Sequence, residues 1–434
     1  FFSTHLANMH SRSTSTLRSA SRAQRLISVN TQGTIRMAPA QPLVLEVPLD
    51  QEKVPGLELF VASDGMLDKS KPANGGLRLW TYDTKEAAVE EAARLASGMS
   101  LKHQMYNTGF SGGKLVCRMP KERMEELAND KKTILDQTGA ALNTLEGFVY
   151  TGCDVNMSIP DMEYLRRQTP YVLASLDARG KQWEMDANIA TASGVVGGVC
   201  GALDAYGGVE GKKVLVHGTG QVGAFVAQKL ASLGALVYTY DINSARADIP
   251  GIVANQSALP EREFLIQQAD ILVPCSCSNI VDEELAHELR CDVLAGASNL
   301  PFRTVEARKI VESRGIVFVP ECITSAGAII LDSVEMYDNE AYLDAEPGDI
   351  YAFVGERVRV KSTEFAQRQL EHYRDSLELA QEIATSDEQP RVGTLFALWK
   401  DQSSAPVTRF VGAAGPSRAV AGQTRQITTS SKHN

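Results

Sequence analysis

Residues 213–223 read KVLVHGTGQVG, and this stretch decides the fold. Its first five residues form an apolar run of strand length, and a helix-forming stretch follows at 224–233. A strand that enters a helix through GxGxxG forms the turn that binds a dinucleotide pyrophosphate. Gly218 allows the tight turn, Gly220 lets the phosphate approach the backbone, and Gly223 lets the helix pack closely. The helix N-terminus adds the positive end of its dipole, so the stretch predicts a Rossmann-type dinucleotide-binding unit.

An acidic residue after the next strand indicates which dinucleotide is bound. That strand ends at Asp241, 21 residues beyond Gly220. A carboxylate there accepts hydrogen bonds from both ribose hydroxyls and repels a 2′-phosphate, which favours NAD over NADP. The competing interpretation is a glycine-rich turn with a surface aspartate. The residues of this region predicted to contact the cofactor belong to the turn and to the end of the next strand: Gly218, Thr219, Gly220, Gln221, Val222, Gly223, Asp241 and Ile242.

The pattern around the turn predicts the architecture. From residue 212, short apolar strands alternate with helical stretches, which predicts a parallel, doubly wound α/β sheet. The strands are expected at 213–217, 236–240, 271–274, 293–296 and 316–319. The residues before this region predict a second, smaller α/β unit, and those beyond residue 326 are helical and charged.

Composition excludes several classes of protein. The 434 residues carry a formal net charge of −10, which argues against a nucleic-acid partner. The uncharged stretch 187–203 contains four glycines and is shorter than the ~20 apolar residues of a membrane span, so no membrane partner is expected. The seven cysteines form no CxxC pair and have no histidine cluster beside them, so no metal site is predicted.

The two ends of the chain have a different composition from the rest. Residues 1–45 contain five arginines, many Ser and Thr residues, and neither Asp nor Glu. This composition is typical of a mitochondrial transit peptide, with a disordered leader as the alternative and a cytoplasmic location in that case. Residues 401–434 are rich in Ser, Thr, Gly and Arg without periodicity, which is typical of a disordered tail.

Two lysines are the candidates for the reacting site. Lys114 follows a glycine pair, and Lys102 lies twelve residues earlier at the end of a predicted helix. Two lysines that face one cleft lower each other's pKa, and desolvation lowers it further. One ammonium then holds a substrate carboxylate while the other exchanges protons. The alternative is two solvated surface lysines.

A set of motifs that includes these lysines resembles the glutamate/leucine/phenylalanine/valine dehydrogenases, and the leucine dehydrogenase branch most of all. The likeness runs from about Pro72 to Met336. The motifs share the order and spacing of that family: Gly75-Gly-Leu-Arg-Leu-Trp80, Lys102, Gly112-Gly-Lys114, Thr151-Gly-Cys-Asp154, the Gly218 turn, Val273-Pro-Cys275, Ala295-Gly-Ala-Ser-Asn299 and Ser325-Ala-Gly327.

The resemblance implies a role for several residues. Lys102 corresponds to the lysine that grips the substrate α-carboxylate, Lys114 to the catalytic lysine that activates water, and Asp154 to the carboxylate that moves a proton to and from the amino group. Gly76 and Asn74 lie where the substrate binds. Thr191, Cys275 and Asn299 correspond to positions in the cofactor site, Thr191 and Asn299 at its nicotinamide end.

The resemblance also implies an organisation and an activity. We expect a leader at 1–42, a substrate domain at 43–185, an NAD-binding domain at 186–333 across a cleft, helices at 334–400 that pack back on the substrate domain, and a tail at 401–434. The implied protein is an oxidoreductase and a homo-oligomer. It converts a small aliphatic or branched-chain L-amino acid and NAD into the 2-oxo acid and ammonia, reversibly.

Three positions depart from the family pattern. Asn74 stands where the leucine branch has an apolar residue and the glutamate branch a lysine; a buried amide there disfavours a purely aliphatic substrate. Ser325 replaces the usual Asn, and the segment 102–107 lacks a run of small residues. The alternatives are a glutamate-type dehydrogenase, disfavoured by the missing lysine, and a noncatalytic NAD-binding paralogue.

Overall fold

The structure is a computed structural model. It describes residues 42–65, 67–123, 131–173, 185–372, 375–385 and 389–402, and the backbone of 27–29 and 35–37. Those two short segments are strands β1 (Ile27–Val29) and β2 (Ile35–Met37), which pair antiparallel. The rest of the predicted leader lies outside the described residues, as does the predicted tail beyond residue 402. In the described part, no helix is both long and apolar enough to cross a membrane.

The N-terminal unit, residues 42–173, is a mixed sheet covered by helices. The strand order is β3-β4-β7-β5-β8, with β6 also paired to β7. Strands β3, β4 and β7 are antiparallel neighbours, whereas β5 and β6 run parallel to β7. The elements are β3 (Leu43–Val47), β4 (Glu58–Asp64), β5 (Ala73–Asn74), β6 (Leu77–Trp80), α1 (Lys85–Met105), β7 (Ser111–Arg118), α2 (Lys131–Thr144), β8 (Val149–Tyr150) and α3 (Ile159–Arg166).

Helix α1 shows why the sequence folds this way locally. The Thr84 side chain caps the helix by accepting a hydrogen bond from the Ala87 backbone N–H. Ala88, Ala92 and Ala96 recur every four residues and are buried against β4 and β7. Small side chains on that face let the helix lie close to the sheet, and Ser100, two residues before Lys102, contacts Gly112 at the start of β7.

The Rossmann unit, residues 187–324, contains the predicted parallel sheet. The strand order is β11-β10-β9-β12-β13-β14, and every neighbouring pair is parallel. Chain order reverses between β9 and β12, and the carboxyl ends of strands at such a point form the usual ligand crevice. The elements are α4 (Ala187–Asp204), β9 (Lys213–His217), α5 (Gln221–Ser232), β10 (Leu236–Tyr240), β11 (Ala254–Asn255), α6 (Glu261–Leu265), β12 (Ala269–Pro274), α7 (Glu283–Glu288), β13 (Cys291–Ala295), α8 (Val305–Ser313), β14 (Val317–Val319) and α9 (Glu321–Thr324).

The helices that follow contact both units. They are α10 (Gly327–Tyr337), α11 (Asn339–Asp344), α12 (Pro347–His372), α13 (Ser376–Thr385) and α14 (Phe396–Gln402). The longest, α12, packs along α4 and β14 of the Rossmann unit, and α13 packs against α1 of the N-terminal unit. The expectation that these helices pack on the substrate domain is therefore incomplete.

Glycines in α4 are the physical reason for the packing of α12. A Cβ atom at Gly197 would lie 2.0 Å from the Gly355 carbonyl oxygen of α12, and one at Gly201 would lie 2.3 Å from that of Arg359. The two backbones meet directly at these points. The uncharged, glycine-rich stretch of the sequence is thus a buried helix–helix contact of the Rossmann unit.

Candidate active site

The glycine turn has the geometry of a phosphate-binding turn. Gly218 has a φ of +90°, which a side chain would strain, and it follows directly on β9. A Cβ atom at Gly223 would lie 2.0 Å from the Gly218 carbonyl oxygen, so only glycine lets α5 begin here. Gly220 has no atom within 4 Å of its Cβ position, which leaves open space beside the helix N-terminus. These residues fit the pyrophosphate of a dinucleotide.

Asp241, which follows the neighbouring strand β10, accepts hydrogen bonds from this turn. Its Oδ2 accepts hydrogen bonds from the Thr219 backbone N–H at 2.8 Å and the Thr219 hydroxyl at 3.3 Å, and its Oδ1 accepts one from the Asn243 N–H at 2.8 Å. Burial raises the pKa of Asp241, but these hydrogen bonds outweigh it and hold the pKa below its ordinary value. The carboxylate is therefore ionised, and Ile242 beside it is 93% exposed at the rim of the crevice.

Of the other predicted cofactor residues, Cys275 lies beside the glycine turn and Thr191 lies against the start of α10. The Cys275 backbone N–H donates to the His217 carbonyl oxygen over 2.7 Å, which joins β12 to the start of the turn. Burial raises the pKa of the Cys275 thiol to about 12, so this side chain packs as a neutral group. Thr191 lies on α4 where Gly327 approaches; a Cβ atom at Gly327 would be 2.7 Å from the Thr191 nitrogen.

Lys114 and Asp154 form an ion pair beside the break between β5 and β6 of the N-terminal sheet. The Lys114 Nζ lies 2.7 Å from Oδ2 of Asp154, and the lysine side chain is 7% exposed. Lys114 is on β7, and Asp154 follows β8. A Cβ atom at Gly76 would lie 2.8 Å from that of Asp154, so the break between β5 and β6 leaves room for the carboxylate. The sheet thus brings together two groups that are 40 residues apart.

A second cation shares the carboxylate. The Arg78 Nε lies 2.7 Å from the same Oδ2 of Asp154, and another guanidinium nitrogen lies 2.8 Å from Oε1 of Glu91. Arg78 belongs to a motif recognised in the sequence, but no role was predicted for it. The available signal was an arginine between two buried leucines of a strand, Leu77 and Leu79, next to a glycine pair.

These contacts shift the pKa values of the pair. Burial lowers the pKa of Lys114, and the charge of Asp154 offsets part of that effect. For Asp154, burial raises the pKa, but the charges of Lys114 and Arg78 outweigh it and lower the pKa below its ordinary value. The result is a desolvated ammonium that gives up a proton more readily than a surface lysine, beside a carboxylate that stays ionised.

Lys102 joins the N-terminal unit to the far side of the cleft. Its Nζ donates to Oδ1 of Asn299 over 3.2 Å and to the Ser325 carbonyl oxygen over 3.3 Å. Burial lowers the pKa of Lys102 as well, and its charge contributes to the lowered pKa of Lys114. The structure therefore places both lysines in one electrostatic site, opposite the Rossmann unit.

A buried polar network holds Asn74 next to this site. The His103 Nε2 lies 3.1 Å from the Asn74 carbonyl oxygen, and Nδ1 lies 2.7 Å from the Thr108 hydroxyl. Burial lowers the pKa of His103 to about 4. The ring is neutral, and since a carbonyl oxygen only accepts, Nε2 carries the hydrogen. The Asn74 side chain points elsewhere: its Nδ2 donates to Oδ2 of Asp332 over 2.8 Å.

Comparison with known proteins identifies the family. The family model for glutamate/leucine/phenylalanine/valine dehydrogenase matches residues 240–385. Leucine dehydrogenase of Thermoactinomyces intermedius is 30% identical over 284 residues, which cover 64% of this chain and 75% of the relative. Phenylalanine dehydrogenase of Lysinibacillus sphaericus is 27% identical over 296 residues, 66% and 75% of the two chains. The chain belongs to the glutamate/leucine/phenylalanine/valine dehydrogenase family.

A solved structure shows the same fold. The hetero-hexameric glutamate dehydrogenase from Thermus thermophilus superposes with a TM-score of 0.63 at 18% identity, covering 91% of this chain and 97% of the other. This member of the family is thus an oxidoreductase with a Rossmann-type unit and a separate α/β unit, as the sequence predicted. The Rossmann-type fold fits a nicotinamide dinucleotide.

The arrangement of Lys114, Asp154 and Lys102 supports proton transfer. Among the residues that the structure describes, no group of three or more His, Cys, Asp or Glu side chains is placed to hold a metal ion. Lys114 and Asp154 instead offer a donor and an acceptor of protons at hydrogen-bond distance in a desolvated site. Lys102 adds a fixed positive charge that suits a carboxylate.

Proposed function

We propose that this dehydrogenase catalyses the reversible, NAD-dependent oxidative deamination of an L-amino acid to the 2-oxo acid and ammonia. The observation that carries the proposal is the 2.7 Å contact between Lys114 and Asp154 in a desolvated site that also contains Lys102. A lysine of lowered pKa beside a carboxylate is what the two proton transfers of such a deamination need. A noncatalytic NAD-binding protein would have no need of this pair.

The residues take roles that follow from their contacts. When bound, the nicotinamide accepts the hydride that leaves the substrate α-carbon. Lys102 binds the α-carboxylate, and Asp154 accepts a proton from the α-ammonium group so that the amine is neutral when hydride leaves. Lys114, in the neutral form that its lowered pKa makes accessible after it releases its own proton to solvent, then takes a proton from the water that attacks the resulting imine of the substrate. Arg78 holds the Asp154 carboxylate and is a positioning residue.

Asp241 supports the choice of NAD. It is ionised, and it sits at the end of β10 beside the glycine turn, where the ribose of a bound dinucleotide lies. A 2′-phosphate there would meet a negative charge. We assign Thr219, Gln221, Val222 and the exposed Ile242 to the same part of the cofactor site, and Thr191, Cys275 and Asn299 to the rest of it, with Thr191 and Asn299 at the nicotinamide end, as the family resemblance implies.

Which side chain the substrate carries is a separate question from the type of reaction. The names of the relatives favour an aliphatic or aromatic side chain, and the prediction of a small aliphatic or branched substrate rests on that resemblance. A glutamate substrate would be expected to need a cation for its second carboxylate, and position 74 holds an asparagine.

One assay tests the reaction. Purified full-length protein is incubated at alkaline pH with NAD and each of the twenty amino acids, and NADH is followed by its absorbance. Turnover of at least one amino acid, with release of ammonia in equal amount, is expected. Binding of NADH without turnover of any amino acid would instead favour the noncatalytic alternative.

Two further proposals concern assembly and location. A homo-oligomer is proposed by analogy with the fold relative described as hetero-hexameric, and the mass of the native protein in solution tests it. A mitochondrial destination stays a prediction from the composition of residues 1–42, and import of a fluorescent fusion of those residues tests it.

A further inference from the structure

Two polar side chains meet in a buried region next to the proposed catalytic pair. Asn74 is 1% exposed and Asp332 is 8% exposed, and the amide of the first donates to the carboxyl of the second over 2.8 Å. Asn74 ends β5 and Asp332 is in the middle of α10, so the contact bridges the N-terminal sheet and the C-terminal helices.

One face of α10 leads from the Lys102 contact to Asp332. The Ser325 carbonyl accepts from Lys102, and Ser325 lies two residues before α10 begins; within α10, Ala328 and Asp332 are four residues apart and share one side of the helix. Ser325 and Ala328 are partly exposed, and Ala328 is the only residue of 326–335 that is not buried. Asp332 is therefore at the closed end of a strip that opens beside Lys102.

The length of this strip suits an amino-acid side chain. Asp332 lies five positions after Gly327, where α10 begins, which is a rise of about 7.5 Å along the helix. Asn74 lies against Asp332 at the far end of the strip, and the glycine pair that follows Asn74 reaches Asp154, since a Cβ atom at Gly76 would lie 2.8 Å from that of Asp154. A substrate with its carboxylate at Lys102 and its amine at Asp154 thus directs its side chain toward Asn74 and Asp332.

The carboxyl group at this closed end can accept a further hydrogen bond from an N–H donor. In the described part of the chain, Asp332 accepts one hydrogen bond, from the Asn74 amide to its Oδ2. No hydrogen bond to its Oδ1 is found there. Burial raises the pKa of Asp332 to about 7, so the group is mostly ionised at alkaline pH. Among the described residues, no lysine, arginine or histidine pairs with it. A buried carboxylate without a countercharge is costly, and a bound N–H donor removes that cost.

A buried hydroxyl nearby is also unsatisfied. The Tyr342 side-chain oxygen is buried and has no hydrogen-bond partner among the described residues. The charge of Asp332 is one of the causes that raise the pKa of this tyrosine, after burial and the charge of Glu335, so the two groups are close in space. This end of the strip thus has more hydrogen-bonding capacity than its own residues use.

We infer that Asn74 and Asp332 are specificity-determining residues that select an amino acid whose side chain ends in an N–H donor, preferably a cation. The inference rests on the proposed deamination and names its substrate class: lysine, ornithine or arginine first, then neutral N–H donors such as glutamine. An aliphatic side chain leaves the buried carboxyl unpaired. A side-chain carboxylate meets a like charge.

Steady-state kinetics of the full chain separate the outcomes. With NAD at pH 9, kcat/KM is measured for lysine, ornithine, arginine, glutamine, leucine, valine and glutamate. We expect a basic amino acid to exceed leucine by about tenfold or more. A preference for leucine or valine overturns the inference and leaves the proposed reaction intact. Absence of turnover for all amino acids, with NADH still bound, contradicts the proposed reaction itself.

Variants then assign the selectivity to the pair. Asp332→Asn keeps the shape and removes the charge, and it should lower kcat/KM for the basic amino acid about tenfold or more while leaving leucine within about twofold. Asn74→Leu combined with Asp332→Val should reverse the preference. Glu340→Gln removes an exposed carboxylate from the next helix and serves as the matched control. An equal loss for every substrate in Asp332→Asn would mean a purely structural role and overturn the inference.

Discussion

Arg78 lies 2.7 Å from the carboxylate oxygen of Asp154 that Lys114 also contacts at 2.7 Å. One carboxylate oxygen thus faces two cations in a desolvated site. The arrangement lowers the pKa of Asp154 and leaves Lys114 to share its counter-ion with an arginine that cannot give up its proton at working pH.

Replacing Arg78 should change the pH profile of the enzyme. In Arg78→Gln, Asp154 loses one of the two cations that lower its pKa, so the acid limb of the kcat/KM profile should move to higher pH. Arg94→Gln is the control, because Arg94 contacts the same Glu91 at the surface without touching Asp154. A uniform drop in activity with an unmoved limb would contradict the positioning role.

Loss of the Lys114 amine should stop the chemistry and spare the cofactor site. Lys114→Ala is expected to lower kcat by about 10²- to 10⁴-fold, the usual range for removal of a general acid–base group. The Kd for NADH, measured by fluorescence titration, should stay within about twofold of the parent. Lys102→Ala should chiefly raise KM for the amino acid. Full turnover in the Lys114 variant would remove the assigned role.

Asp241 should set the choice between NAD and NADP. In Asp241→Ser the negative charge at the ribose site is gone, while a hydroxyl remains to accept from Thr219. We expect the ratio of kcat/KM for NAD to that for NADP to fall by about tenfold or more, mainly through KM for NADP. An unchanged ratio would show that Asp241 serves only to fasten the glycine turn.

The buried Asp332 should make the folded state less stable at alkaline pH. Its pKa is raised to about 7, so between about pH 4 and pH 7 the folded chain keeps a proton that the unfolded chain releases. Stability therefore falls as the pH rises through that window. Asp332→Asn should gain stability relative to the parent by at least about 1 kcal/mol on going from pH 5 to pH 8. Thermal unfolding at both pH values measures this, and Glu340→Gln should show no such gain.

Substitution by alanine at two helical glycines should change the stability of the fold in opposite directions. Gly197→Ala places a Cβ atom 2.0 Å from the Gly355 carbonyl oxygen and should destabilise the fold by about 1–3 kcal/mol or more. Gly98→Ala lies in α1 with no atom within 4 Å of the new carbon, so it should stabilise by about 0.4–1 kcal/mol. Chemical denaturation compares them. Equal effects would mean that α4 and α12 can separate at little cost.

Local sequence patterns were enough to predict the fold of the Rossmann unit. The run 213–223 predicted a strand, a glycine turn and a helix, because each depends on a few adjacent residues and on backbone freedom at glycine. The parallel strands that follow were also predictable, since apolar runs of strand length separated by helices leave few other architectures. The relation of the C-terminal helices to the two units was incompletely predicted, because it depends on Gly197 and Gly201 meeting backbone far along the chain.

The sequence by itself, through its resemblance to the family, determined which groups are proposed to carry the chemistry: two lysines, an aspartate and a dinucleotide turn. Only the tertiary structure decided what those groups touch. Arg78 meets Asp154 across 76 residues, and Asn74 meets Asp332 across 258. No local pattern encodes such pairs, since they arise when sheet register and helix packing bring distant backbone together. The charge balance at Asp154 and the polarity of the proposed side-chain site both come from those long-range contacts.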